Sequence, residues 1–473
     1  MMQKILTKYG LAIHVALVCF YPFAGFGHSR WLLFLPFLWL ALAVAELMVL
    51  LPSVHRDETL ADARRRMARD LCWDPLLYIG VALAGMLMVQ WLNGGCPLVY
   101  LPDADVWQIS APPVAWAPFC VETAAGFSQF CILVACVAAG LAVRNALSRA
   151  PKRMLLQGMA VAGGCVALVS VARMWPEGCP ADAASQARGT FFGFWMLLSW
   201  GLLADALARF QRGGRALYGF GILANLVGLI FYSPPLSVCL YGILGLTLFL
   251  YALVCLDAQV PKKTQVLLFL VTVLALAALV VSLGFLMPDN PVAVKMKEAW
   301  PVAEYWEKTV ATRRIRMDAA LGLWKEHLWF GCGTGGFFHG VGLLLTDKEW
   351  ALLQTDQAYA YHEYIQILCE YGVVGLALFL AAALALIAPL CYRARIAWQA
   401  GGETEKEGRF FLLRISPIVV SGVLATGAVF AEGWIANPFR SPAVLLSWSV
   451  TLAALAAFLP RRGRETSRHE GHP

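Results

Sequence analysis

The chain has 473 residues and a formal net charge of +7; it is 60% hydrophobic and only 14% charged, with 17 Trp and 26 Phe. Soluble domains run nearer a quarter charged, so this composition excludes an ordinary soluble domain and indicates an integral membrane protein. The positive excess lies in loops between apolar runs, which argues against a nucleic-acid partner, and the alternating strands of a membrane barrel are absent.

Apolar runs of about 17–25 residues, each long enough to span a bilayer as a helix, predict an all-α fold of about twelve transmembrane spans. They fall at 11–27, 32–51, 75–93, 124–147, 154–173, 190–208, 217–233, 236–256, 265–287, 364–390, 413–434 and 443–460. The first lacks a small-residue cleavage site and reads as a retained helix. The expected organisation is a bundle of nine helices over 1–287, an external helical loop over 288–361, three helices within 362–460 and a charged tail over 461–473.

Loops alternate in charge. One set holds Lys4 and Lys8, Arg64-Arg65-Arg66, Arg144, Arg149, Lys152, Arg153, Arg209, Arg215, Arg393 and Arg395; residues 94–123, between two spans, hold no Lys or Arg. The positive-inside rule then puts both termini in the cytoplasm. Arg188 and Arg440, and more weakly Arg30 and Arg173, break the pattern on the other side. Each is either a snorkelling interfacial arginine or a binding residue.

The long external loop is too aromatic and too well patterned for disorder. Leu321, Trp324 and Leu328 share one face of a helix expected from about 314 to 329. Gly331-Cys332-Gly333-Thr334-Gly335-Gly336 stops it, and Thr346 to Glu349 has capping-box spacing before Trp350, Leu352 and Leu353. The loop is read as a helical cap over the external mouth of the bundle. Its Arg313-Arg314-Ile315-Arg316 run suits an anion, since guanidinium forks match phosphate oxygens. The glycine run lacks the ending of a phosphate loop and the setting of a dinucleotide fold. No hydrolase or metalloprotease motif and no metal-ligand spacing is present, so neither metal nor cofactor is expected. Of the 13 cysteines, Cys96, Cys120, Cys179 and Cys332 fall in external loops, where a disulfide among them fits an oxidising compartment.

After the cap comes the densest polar segment, Tyr361 to Gly375, at the start of the tenth span. His362, Gln366 and Glu370 recur at four-residue spacing on one helical face. A polar stripe entering a membrane is costly unless it faces a cavity or protein.

Taken in order, several short elements resemble the polytopic O-antigen ligase and polymerase superfamily. They are Gln90-Trp91-Leu92-Asn93, Arg188-Gly189-Thr190-Phe191, and Arg313 followed by a helix, Gly331, Gly333 and Phe337. Tyr361-His362 ahead of Glu370-Tyr371-Gly372 and Gly375, and Pro438-Phe439-Arg440-Ser441-Pro442, complete the set. Reading back from Gly372 and Gly375, Tyr361 stands at the family's histidine position and His362 at its asparagine position. His362 is expected to take over the family histidine's role from the neighbouring position, against the alternative of a helix-capping histidine. Ser233-Pro234-Pro235 replaces a family Ser-Arg pair.

The resemblance implies transfer of an oligo- or polysaccharide from a polyprenyl diphosphate donor to a hydroxyl of a glycolipid or glycan acceptor. The reaction would occur at the periplasmic face of a bacterial inner membrane, within the lipid bilayer. The leaving group is already a diphosphate, so neither ATP nor metal is required. Arg313 and Arg188 would clamp the diphosphate, and His362 would act as base or orienter of the acceptor. Arg314, Arg316, Arg440 and Tyr361 would contact substrate, with Gln366 and Glu370 behind them. A protein hydroxyl as acceptor, and chain polymerisation, stay open. The rival class is a glycolipid transporter, disfavoured because the predicted spans look uninterrupted and the intramembrane candidates Asp205 and Glu432 lie toward helix ends.

Overall fold

The computed structural model describes residues 2–23, 30–50, 52, 59–96, 98–101, 106–174, 183–209, 214–256, 302–346, 348–349, 359–401 and 415–459. Helices α1 (Met2–Phe20), α2 (Arg30–Leu50), α3 (Leu60–Cys72) and α4 (Pro75–Leu92) lead to a hairpin of β1 (Leu98–Leu101) and β2 (Val106–Ile109). Then follow α5 (Thr123–Leu141), α6 (Arg149–Met174), α7 (Ala183–Ala208), α8 (Arg215–Tyr232) and α9 (Pro235–Leu256). The later helices are α10 (Val302–Glu326), α11 (Gly336–Leu344), α12 (Glu363–Gly401), α13 (Pro417–Glu432) and α14 (Pro442–Leu455).

Among the described residues six helical stretches are long and apolar enough to cross a membrane: Pro75–Leu92, Thr123–Ala146, Arg149–Arg173, Gln186–Ala208, Arg215–Tyr232 and Glu363–Ile396. Shorter apolar helices lie at Tyr9–Phe23, Leu35–Leu50, Ser237–Ala252, Pro417–Glu432 and Pro442–Phe458. The fold is that of an α-helical membrane protein. The described parts of the segments read as spans are largely helical, and six of those helices have the length and apolarity of a span; 265–287 lies outside the described residues, as do 24–27, 51, 413–414 and 460.

The core gathers around α7, which packs against α6, α8, α9, α13 and α14. Its Phe191, Phe192, Phe194 and Trp195 are fully buried. Lipid offers no hydrophobic incentive for helices to associate, so close packing of small residues against large ones holds such a bundle. Gly193 receives the Tyr241 ring and Gly201 receives Ser421.

Three features depart from the sequence reading. The basic stretch between the second and third predicted spans is itself a helix, α3. The Thr59 hydroxyl caps it by accepting from the Asp62 amide at 3.2 Å, and Ala63 and Met67 turn inward. Helix α10 begins well before residue 314 because nothing from Val302 to Arg313 breaks a helix, and it stops at Glu326 rather than 329. Its inward face is Ala319, Ala320 and Leu323, while Leu328, beyond the helix end, is 48% exposed. Finally, the tenth predicted span is not uninterrupted. Within α12, Gly372 has φ 65° and ψ −168°, a conformation open in practice only to glycine.

The capping box forms. Thr346 donates through its amide (2.9 Å) and hydroxyl (2.7 Å) to Glu349 Oε2, and the Glu349 amide returns a bond to Thr346 Oγ1 at 3.4 Å. Trp350, Leu352 and Leu353 lie outside the described residues, as does Cys179.

Candidate functional site

A cavity of about 650 Å³ opens where α6 and α8 end and α7 begins. Arg173, Arg188, Arg440, Tyr361, Tyr359 and Asn437 line it, and no carboxylate is among its described lining residues. Arg188 sits in the second turn of α7 with its guanidinium 5.6 Å from the Tyr232 ring centroid. Arg440 closes a 3₁₀ turn, Pro438–Arg440, set between two prolines. Tyr361 has φ +52°, the left-handed region that a bulky residue enters only under constraint. Arg316 covers the ring of Tyr361 at 4.6 Å.

Arg440 also joins the cavity to a buried polar network. It donates to Glu370 Oε2 at 2.7 Å and lies 3.4 Å from Glu363 Oε1. Two buried carboxyl groups share one cation, so their remaining oxygens require further donors. The Phe439 amide donates to Glu363 Oε2 at 3.0 Å, and Gln366 Nε2 donates to Glu370 Oε1 at 3.1 Å. Gln366 Oε1 accepts from Asn437 at 2.6 Å and from the Ala360 amide at 2.9 Å. Burial works against the charge on Arg440, but Glu370, Tyr371 and Glu363 outweigh it and raise its pKa above the arginine range. Among the described residues Arg440 Nη2 and Asn437 Oδ1 find no hydrogen-bond partner.

On its other side Arg440 meets a narrow apolar groove of about 130 Å³ between α4, α5 and α12. Leu83, Met86, Leu87, Ile132, Leu133 and Phe379 are among its walls, with Glu363 and Tyr371 beside Arg440.

His362 is buried beside the cavity and is not among the residues that line it. Its ring packs edge-on against Trp434 at 5.1 Å. The Ile365 amide donates to Nδ1 at 3.3 Å, so His362 is the N-cap of α12. That bond assigns the proton of the neutral ring to Nε2. Burial first, and the nearby charge of Arg313, press its pKa below 6.5, against a contact with its own backbone that raises it.

The break at Gly372 is stitched to the glycine-rich loop. Where a regular helix would continue its ladder, Val373 donates to Leu328 O (3.1 Å) and Val374 to Trp329 O (3.1 Å). In return Cys332 donates to Cys369 O (2.8 Å) and Gly333 to Glu370 O (3.0 Å). Gln90 Nε2 also donates to Glu370 O at 3.3 Å, and Gln90 Oε1 accepts from Thr334 Oγ1 at 3.2 Å. A side chain at Gly372 would strike Trp329 O, and one at Gly331 would strike Cys369 O. Asn93 holds the loop before α5 through bonds to Val114, Ala117 and Pro118.

The structure thus brings Arg188, Arg440 and Tyr361 to one cavity. Arg316 stands behind Tyr361, and Arg313 lies near enough to His362 to act on it electrostatically. Gln366 and Glu370 are buried behind Arg440. Arg314 stays apart, with its side chain 84% exposed and 3.9 Å from Asp318. Glu363, Asn437 and Thr334 were missed by the sequence reading. The first two adjoin elements it used, while Thr334 sits in a glycine run that gives no sign of what it touches. No family model matches this sequence, and no curated protein matches it.

Proposed function

We propose that the protein is a membrane glycan transferase of the O-antigen ligase type, moving an oligo- or polysaccharide from a polyprenyl diphosphate to an acceptor hydroxyl. The observation that carries this reading is the position of Arg440 between a polar cavity lined by arginines and an apolar groove. An amphiphile with an anionic group at the junction of its two halves fits that arrangement: diphosphate at Arg440 and Arg188, isoprenoid along the groove, glycan in the cavity. The resemblance of the short elements in the sequence supports the same reading. So does the charge pattern of the loops, which predicts about twelve spans, cytoplasmic termini and an external cap, with the cavity facing the periplasm.

In this scheme the arginines stabilise charge that builds on the departing diphosphate without a metal. Tyr361, at the family's histidine position, offers its hydroxyl from the cavity wall. His362, buried beside that wall with Nε2 protonated, caps α12 and holds Tyr361 in place rather than removing the acceptor's proton.

One observation favours a transporter, since such proteins carry broken helices and α12 is broken at Gly372. Against that, the backbone groups around the break bond to the loop at 328–333 and to Gln90. They are already satisfied by protein.

The test is purified protein in detergent, given a polyprenyl-diphosphate glycan and candidate acceptors, with free polyprenyl diphosphate as readout and no added ATP or metal. Acceptor-dependent release, lowered in Arg188→Ala and Tyr361→Phe, is expected. Tight glycolipid binding with no release under any acceptor would overturn the transferase in favour of transport.

A further inference from the structure

We infer that Cys332 and Cys369 are a covalent cross-link site, joined as a disulfide in the mature protein. Their Sγ atoms lie 3.6 Å apart and both residues are fully buried. The Cys332 amide donates to the Cys369 carbonyl at 2.8 Å, so the two backbones already lie side by side where the bond would form. That juxtaposition exists because Gly331 and Gly372 carry no side chains, and a Cβ at either would meet the backbone of the facing segment. The cross-link closes the same clasp that the four backbone bonds make. Glu370, the partner of Arg440, follows Cys369 directly.

Alternatives for the pair are weaker. Among the described residues no group of three or more His, Cys, Asp or Glu is placed to hold a metal ion. Cys96 and Cys120 are also buried and near enough to influence each other. They form a separate pair on the hairpin side, and the sequence reading, which grouped Cys332 with them, did not include Cys369.

The bond forms by exchange with an oxidised dithiol catalyst or small-molecule disulfide of the compartment outside the cytoplasm. The thiolate of one cysteine attacks the oxidant's disulfide, making a mixed disulfide and releasing one oxidant thiolate. The thiolate of the other attacks the protein sulfur of that mixed disulfide. The Sγ–Sγ bond forms, the second oxidant thiolate leaves, and the two protons from the cysteines end on the reduced oxidant. Burial requires that this occur as the chain folds. The inference rests on the external placement of this loop and not on the transferase chemistry.

The test uses the full-length protein made in a bacterial membrane. It is denatured in alkylating reagent without reductant, digested and analysed by mass spectrometry. Expected are a linked peptide pair containing Cys332 and Cys369, alkylation of both only after reduction, and in Cys332→Ser an alkylated Cys369. A wild-type sample in which both are alkylated without reductant would overturn the proposal, as would linkage of Cys332 to another cysteine. Heating in detergent gives a second measure. Reductant should lower the melting temperature of the wild type and leave that of the Cys332→Ser/Cys369→Ser variant unchanged; equal shifts in both would also count against the cross-link.

Discussion

The two ends of the bundle use arginine in opposite ways. At the Arg144 end, a cavity of about 1,020 Å³ is lined by Arg66, Arg144, Arg149, Lys152, Arg209 and Arg393 together with Asp70 and Asp205. There buried carboxylates take up the charge. Arg144 meets Asp74 at 3.1 Å, while Arg153 (2.6 Å) and Arg209 (3.0 Å) both meet Asp205. At the His362 end two arginines lie over aromatic rings instead, Arg188 on Tyr232 and Arg316 on Tyr361. Of the arginines that line the cavity, Arg440 is held by carboxylates, and they stand behind the cavity rather than in its wall. A ring steadies a guanidinium without cancelling its charge. The same residue type thus fixes the fold at one end and presents an uncancelled field to a cavity at the other.

The largest effect that would break this contrast is on stability. Asp205 is buried and holds Arg153, Arg209 and Ser416. Asp205→Ala should cost about 3–5 kcal/mol, the usual result of removing one partner of a buried ionic group. Glycolipid turnover per folded molecule should stay unchanged. Thermal unfolding in detergent and the release assay separate the two. A stable but inactive variant would mean that the Arg144 end takes part in the chemistry.

Arg188→Ala should do the reverse. Its side chain is exposed, and its ring contact with Tyr232 is worth about 0.5–1 kcal/mol, so melting should move little. Release of polyprenyl diphosphate should fall by about 10²–10³-fold if this charge faces the leaving group. Unchanged release with a large fall in melting temperature would make Arg188 one more structural arginine.

Glu370→Gln probes the link between these two uses. It keeps the shape but weakens the hold on Arg440, which donates to Glu370 at 2.7 Å. A loss of about 1.5–3 kcal/mol is expected, the range for hydrogen bonds to charged groups. Activity should fall less than in Arg188→Ala, because Glu363 still faces the guanidinium. A drop in activity beyond that of Arg188→Ala would show that Arg440, not Arg188, carries the larger part of the phosphate contact.

How much of this was legible follows from what kind of signal each feature leaves. The helices announce themselves because a bilayer demands long apolar runs. Arg188 and Arg440 stood out because the charge pattern of the loops disfavours them. The face shared by Gln366 and Glu370 follows from helical spacing. What stayed hidden depends on contacts between distant segments. Gly372 reads as an ordinary small residue in a helix until the loop at 328–333 is laid across it. Cys369 looks like one more buried membrane cysteine until Cys332 lies 3.6 Å away. The exchange of places between Tyr361, which lines the cavity, and His362, which caps α12, turns on a left-handed backbone angle at Tyr361 that no residue type there advertises.

That exchange supplies the smallest and sharpest test. Asparagine is among the best N-capping residues, so His362→Asn keeps the cap on α12 while removing the imidazole; His362→Ala loses both, at about 0.5–2 kcal/mol. In the folded protein the imidazole pKa lies below 6.5, so the unfolded chain binds more protons between the two values. Protonation would place a hydrogen on Nδ1, break the bond from Ile365 and set a second positive charge near Arg313. The contribution of His362 to stability is therefore complete above pH 6.5 and is lost as pH falls through the lower, folded value. Melting temperature measured from about pH 7.5 to about pH 4.5 should drop further in the wild type than in His362→Asn. If His362 also orients the acceptor, the acid limb of turnover should lie below pH 6.5 and vanish in the asparagine variant along with most of the rate. Full activity with the limb retained in His362→Asn would reduce His362 to a cap and leave Tyr361 alone at the cavity wall.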